Sequence, residues 1–159
     1  MRIKILCVGK LKEKYLRDAV AEYAKRLSRY CKLEIQEVAD EKTPDDASEA
    51  EEDQIKEIEG KRLMQCIHDT DYVIALVIEG EMPDSVSFAR KIEQLQIRGK
   101  SSICFVIGGS LGLSEEIRAR ADEQMSFSRL TFPHQLMRVI LLEQVYRSFR
   151  IIRGEPYHK

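Results

Sequence analysis

The hydrophobic positions of this chain change their period from one stretch to the next, and each period implies an element. Arg2 to Val8 sets Ile3, Ile5 and Cys7 at alternate positions, with Leu6 inserted, and stops at Gly9, which predicts a first strand. Lys12 to Tyr30 carries Leu16, Val20, Tyr23 and Leu27 three or four apart, the spacing of an amphipathic helix. Lys32 to Val38 alternates again and predicts a second strand. Asp40 to Asp53 is acidic and short of large apolar residues, so a loop is expected there. A helix through Ile55, Ile58, Leu63, Met64 and Ile67 follows it. From Tyr72, YVIALVIEG is a continuous apolar run, the mark of a strand covered on both faces. Ser85 to Arg98 then turns Val86, Ala89, Ile92 and Leu95 inward as a helix, with Gly99 at its C-cap.

Ile103 to Gly112, ICFVIGGSLG, is a second continuous run, and it ends in a glycine cluster. Gly108 and Gly109 allow a sharp turn, or the close approach of a ligand, where a Cβ would clash. Ser114 predicts the N-cap of a short helix ending near Ala121, with Glu115 and Glu116 in its first turn. Met125 to Leu130 reads as a last short strand, broken by Phe132-Pro133-His134. Gln135 to Ile152 predicts one long helix packing Leu136, Val139, Ile140, Val145, Phe149 and Ile152, stopped by Gly154 and Pro156. Strand and helix alternate without a linker or repeat. The expected fold is a single α/β domain over residues 1–159, with a mostly parallel sheet and helices on both faces. Loops leaving Ile78, Gly108 and Leu130 would open on one sheet edge, where such folds hold small ligands.

Composition narrows this picture. The chain has 159 residues, 43 % apolar and 33 % charged, which suits one domain with a core. Neither a membrane span nor a signal-peptide core is visible, so a cytoplasmic protein is expected. Cys7, Cys31, Cys66 and Cys104 lack the paired spacing of a zinc site, and no metal is expected. Net charge is −1, but it is segregated. Residues 1–36 hold ten Lys/Arg against four Asp/Glu, residues 37–59 two against eleven, and residues 117–159 eight against four. Two basic ends permit a polyanion partner despite the neutral total.

The chemistry is then weighed against the glycine loop. A dinucleotide fingerprint belongs on the first strand and wants an acidic residue closing the next one. Here the glycines come late, and the next strand ends in Arg129-Leu130-Thr131, which speaks against NAD. The ordered set Leu76 to Gly80, FVIGGSLG and SFSRLTFPHQLMRVILLEQVYRSFRIIRGEPYHK, with VGKLKEKY near the start, closely resembles the ribosomal RNA large subunit methyltransferase H family. These are small, single-domain members of the SPOUT class.

The resemblance spans the whole chain and is most specific over residues 103–159. It implies a SPOUT fold whose C-terminal half, about residues 72–159, is threaded into a trefoil knot. It further implies a homodimer that uses S-adenosylmethionine to methylate N3 of a pseudouridine in large-subunit rRNA on the assembled ribosome. Leu76, Gly108, Phe127, Ser128, Arg129, Leu130, Thr131 and Phe132 match the family's cofactor positions. For catalysis the basic and aromatic residues near the end are the first choice: Arg147, Tyr157 and His158, with His134 and Arg138 second. In this reading His158 accepts the imide proton, Tyr157 stacks on or bonds to the base, and Arg147 holds phosphate or developing negative charge. The tail would complete the site across the dimer interface. Lys4, Lys10, Lys12, Lys14 and Arg17, with Arg147, Arg150, Arg153 and Lys159, are candidates for phosphate contacts. Two other functions stay open at this point, a non-catalytic ribosome- or RNA-binding factor and a SPOUT methyltransferase acting on tRNA.

Overall fold

The computed structural model, which describes residues 1–159, alternates strand and helix from end to end. In chain order these are β1 (Arg2–Val8), α1 (Lys14–Leu27), β2 (Lys32–Val38), α2 (Glu49–Met64), β3 (Tyr72–Glu81), α3 (Ser85–Ile97), β4 (Ser102–Ile107), α4 (Glu115–Arg120), β5 (Glu123–Met125) and α5 (His134–Ile152). All five strands are parallel, in the order β2-β1-β4-β3-β5. Register aligns Cys7 with Ile107, Ile107 with Leu76, and Leu76 with Met125, so β1, β4 and β5 end close to the level of Leu76, past which β3 runs on to Glu81.

Because side chains alternate across a strand, each strand feeds two cores. Ile3, Ile5, Cys7, Ile74, Ile103, Phe105 and Ile107 pack with residues of α1, α3 and α5. Leu6, Val8, Val73, Ala75, Cys104 and Val106 pack with Leu63 of α2 and Ile117 of α4. Leu6 is therefore no insertion but part of the second face. Burial pushes the thiols of Cys7 and Cys104 up to about 12, so both are neutral core residues.

Several sequence expectations shift. The acidic stretch is not all loop, since α2 already starts at Glu49. Ser48 and Glu51 form a capping box there, and three glutamates in the first turn suit the helix dipole. The expected strand from Met125 to Leu130 ends at Met125. Beyond it the Ser126 hydroxyl accepts from the Ser128 amide (3.2 Å), and the Ser128 hydroxyl accepts from the Leu130 amide (2.9 Å). These side chains take the backbone donors that a strand ladder would need. In α5 the buried stripe runs through Leu141, Leu142, Val145, Tyr146 and Phe149, whereas Leu136 is exposed.

Lys4 is the sharpest correction. It is 1 % exposed and meets no phosphate. Its ammonium donates to the Cys66 carbonyl (2.5 Å) and pairs with Asp71 (3.3 Å). Asp71 also accepts from the Ser102 hydroxyl (2.8 Å) and the His68 amide (2.9 Å). Burial alone would raise the Asp71 pKa, but these donors and the Lys4 charge outweigh it and hold the group below its ordinary 3.8. A depressed carboxylate stabilises the fold fully above that ordinary value and ceases to as pH falls through the lower folded one. Asp71→Asn should thus lose about 2 kcal/mol at neutral pH. In urea titrations its deficit against wild type should shrink as the pH is lowered to about 3.

Candidate functional site

The aligned strand ends open into a cavity of about 600 Å³. Its walls are Leu76 to Glu79 of β3, Ile107 at the end of β4 with the loop to Leu113, the loop after β5, and His134 and Met137 of α5. Seven of the eight expected cofactor residues line it: Leu76, Gly108, Phe127, Ser128, Leu130, Thr131 and Phe132. Arg129 is exposed and stands outside the lining. Leu76 and Phe127 also pack on the core, while Leu130 is 73 % exposed at the rim. The third loop leaves from Met125 rather than Leu130, because the strand ends early.

The glycines divide their work. A Cβ on Gly108 would lie 2.7 Å from the Gly112 carbonyl carbon and 2.8 Å from its oxygen, so the loop's own closure requires this glycine. Gly112, at φ +92°, has open space where a Cβ would stand. It is Gly112, more than Gly108, that leaves room over the loop.

His134 opens α5 beside the cavity. Burial, then the Arg138 charge, lower its pKa from 6.5, against a smaller opposing effect of Asp40. Both effects favour the neutral imidazole. Arg138, one turn on, is 1 % exposed, with its guanidinium turned toward β1 and β2. Its guanidinium donates to the Val8 carbonyl (3.1 Å), the Gly9 carbonyl (2.7 Å) and Glu37 (2.5 Å). In this structure Arg138 acts as a strut, with its guanidinium engaged by Val8, Gly9 and Glu37.

Arg147, Tyr157 and His158 meet at the other end of α5. Glu143 accepts from Arg147 through Nε (3.1 Å) and Nη2 (2.6 Å), and from the Tyr157 hydroxyl (3.0 Å). The guanidinium lies 4.7 Å from the centre of the Tyr157 ring, which packs edge-on against Tyr146 at 4.9 Å. Burial, then the bond to Glu143, raise the Tyr157 pKa, so the phenol remains a donor at neutral pH. Arg147 Nη1 lies 3.2 Å from His158 Nδ1. Arginine only donates, so Nδ1 accepts and the imidazole hydrogen sits on Nε2. Arg150 fixes the turn before the tail through Tyr30, Glu155 and the Pro156 carbonyl. The tail is held, not frayed. Met137 and Arg147 are ten residues apart on one helix, about 15 Å at 1.5 Å per residue. A single protomer therefore does not join the tail to its own cavity.

A family model described as "Predicted SPOUT methyltransferase" matches residues 1–158. The chain is 60 % identical over its full 159 residues to the full-length "Ribosomal RNA large subunit methyltransferase H" of Clostridium kluyveri. It is 58 % identical, again over the whole of both chains, to the protein of that name in Streptococcus thermophilus. This chain belongs to the SPOUT methyltransferase family. The fold also resembles a solved probable methylase family protein from Haemophilus influenzae Rd KW20, with a TM-score of 0.56, 12 % identity, and 99 % and 70 % of the two chains covered.

Two residues at this SPOUT site were not singled out from sequence. Glu143, which ties Arg147 to Tyr157, carries a signal in its i, i+4 spacing to Arg147. Glu59 of α2 carries none, being one acid among eleven in its stretch. It is buried against the glycine loop, where a Cβ on Gly109 would lie 3.2 Å from its carboxylate, and burial raises its pKa above 4.5. No three His, Cys, Asp or Glu side chains converge anywhere in the fold. No helix is long and apolar enough to cross a membrane.

Proposed function

We propose that this chain transfers a methyl group from S-adenosylmethionine to N3 of a pseudouridine in large-subunit ribosomal RNA, on assembled ribosomes, as a homodimer. The cavity at the sheet edge carries the reading. Its volume falls within the roughly 300–1,000 Å³ of small-molecule sites. Leu76, Phe127 and Phe132 offer apolar walls, and the backbone of three loops offers donors and acceptors for adenine and ribose. The printed name of the full-length relatives supplies the RNA class. The same reading includes the trefoil knot over about residues 72–159. Its support is the tight crossing where the Ser126 amide donates to the Glu81 carbonyl (2.8 Å) and Gly80 leaves no room for a Cβ against Met125.

Bound there, S-adenosylmethionine supplies a methyl group activated by the positive charge on sulfur. The chain's own task is to orient the base and remove its imide proton as the N–C bond forms. Tyr157, a donor at neutral pH, holds a base carbonyl. Arg147, oriented by Glu143, faces the negative charge that develops on the ring oxygens. His158 takes the proton at Nδ1, which requires its contact with Arg147 to open. Because the tail lies far from the cavity of its own protomer, the tail that serves each cavity is the partner's.

Labelled-methyl transfer to purified ribosomes, with the modified nucleoside identified, tests the proposal. The expected product is N3-methylpseudouridine, formed faster on assembled ribosomes than on free rRNA. Label appearing only in tRNA, or none despite bound cofactor, would overturn it. Gly108→Ala should weaken S-adenosylmethionine binding at least about tenfold in calorimetry, because the new methyl group pushes the loop closure apart.

A further inference from the structure

We propose that the strap Gly9–Lys14, between β1 and α1, is a docking surface for the RNA phosphate backbone, presented beside the cavity by the buried strut Arg138. The inference rests on the RNA substrate proposed above and concerns which face of the protein receives it.

The strap leaves β1 at the sheet edge where the cavity opens. Cys7 pairs with Ile107, one residue before Gly108, and a Cβ on Gly109 would lie 3.3 Å from the Val8 side chain. The strap is pinned along its length. Arg138 holds the Val8 and Gly9 carbonyls, and its partner Glu37 accepts from the Leu11 amide (3.1 Å). Arg17 donates to the Lys12 carbonyl (2.5 Å) and the Leu11 carbonyl (3.4 Å). All of these bonds engage the backbone, so the side chains of Lys10 and Lys12 are left projecting into solvent from a fixed support.

Two of the carboxylates beside the strap are already paired. Glu37 is paired with Arg138, and Asp18 with Lys14 at 2.7 Å. Glu13 and Asp40 are the other carboxylates near it, and neither lies within 4.0 Å of a lysine or arginine nitrogen. Lys10 and Lys12 likewise have no carboxylate within that range. Tyr15, 69 % exposed, adds an aromatic face to the same patch. Two unneutralised ammonium groups on a fixed backbone, with an open aromatic ring, match a polyphosphate carrying bases better than a protein surface. Fixing the backbone in advance also reduces the ordering cost of binding.

The test uses the full-length chain and assembled ribosomes. Lys10→Ala with Lys12→Ala should raise KM for ribosomes about tenfold and leave kcat and S-adenosylmethionine affinity unchanged. The log kcat/KM against log salt plot should flatten by about 1 per lysine removed. Lys10→Arg with Lys12→Arg should restore both. An unchanged melting temperature checks that the fold survives. If the alanine pair keeps the wild-type KM and salt slope, the strap is not the surface, although the enzyme stands. If a photo-crosslinker at position 10 captures only ribosomal protein, the RNA assignment is overturned. A wild-type chain that methylates no ribosomal RNA sinks this proposal together with the one it rests on.

Discussion

Removing Tyr157, His158 and Lys159 leaves a protein that folds and binds its cofactor but transfers methyl groups at least about a hundredfold more slowly, the usual weight of a positioned acid–base group. The cavity walls end at Met137 on α5, so the truncation touches none of them. It does remove the ring that packs edge-on against Tyr146 and the hydroxyl that binds Glu143, so a small loss of stability accompanies it. Single-turnover rates, read beside calorimetry, separate the two effects. Tyr157→Phe isolates the hydroxyl, and His158→Ala isolates the proposed proton acceptor. The decisive measurement mixes two impaired chains, one lacking the tail and one carrying Gly108→Ala, at a cofactor concentration well below what the Gly108→Ala cavity needs. A mixed dimer then pairs one intact cavity with one intact tail, and activity should return. If the mixture stays silent while each variant still dimerises, the tail works within its own protomer or not at all.

Arg138→Ala should lose about 3 kcal/mol of stability, read as a shift of the urea midpoint at constant m-value. The guanidinium is buried, and three acceptors, on β1, on Gly9 just after it and on β2, depend on it. Its removal strands the Val8 and Gly9 carbonyls and leaves Glu37 without its counter-charge. Arg138→Lys keeps the charge but cannot span the same fork of acceptors, so it should recover only part of the loss. A catalytic role predicts a different pattern, with kcat lost and the urea midpoint unmoved. The lowered pKa of His134 should rise toward 6.5 in Arg138→Ala, since one of its two depressing influences is gone.

Much of the fold was legible because parallel strands covered on both faces are continuous apolar runs. The runs YVIALVIEG from Tyr72 and ICFVIGG from Ile103 were read in that way, and the strands they form stand next to each other in the sheet. The helix start at Ser114 followed from capping chemistry, which is local, and Gly99, expected at the C-cap, stands one residue past the C-cap Arg98 with φ +82°. The misread stretches were those where local chemistry competes with pattern. Met125 to Leu130 looks like a strand by apolar spacing, yet its serines bond back to their own backbone. Glu49 to Asp53 looks like a loop by charge, yet a capping box starts a helix there.

The candidate site was legible in a different sense. The glycine loop, the FSRLTF segment and the tail were named as motifs, but spacing alone does not say that the first two share a cavity and the third does not. Lys4 and Arg138 mark the limit. Cationic side chains default to the surface, and only a distant partner such as Asp71 or Glu37 makes their burial tolerable.

By itself the sequence determined the order of strands and helices, the sheet's parallel character and the motif-bearing loops, because these depend on neighbours a few residues apart. Only the tertiary structure decided which charges are interior, which loops converge, and that the tail lies about 15 Å along α5 from the cavity. Such outcomes depend on contacts between residues such as Lys4 and Asp71, or Val8 and Arg138, whose separation along the chain leaves no periodic trace.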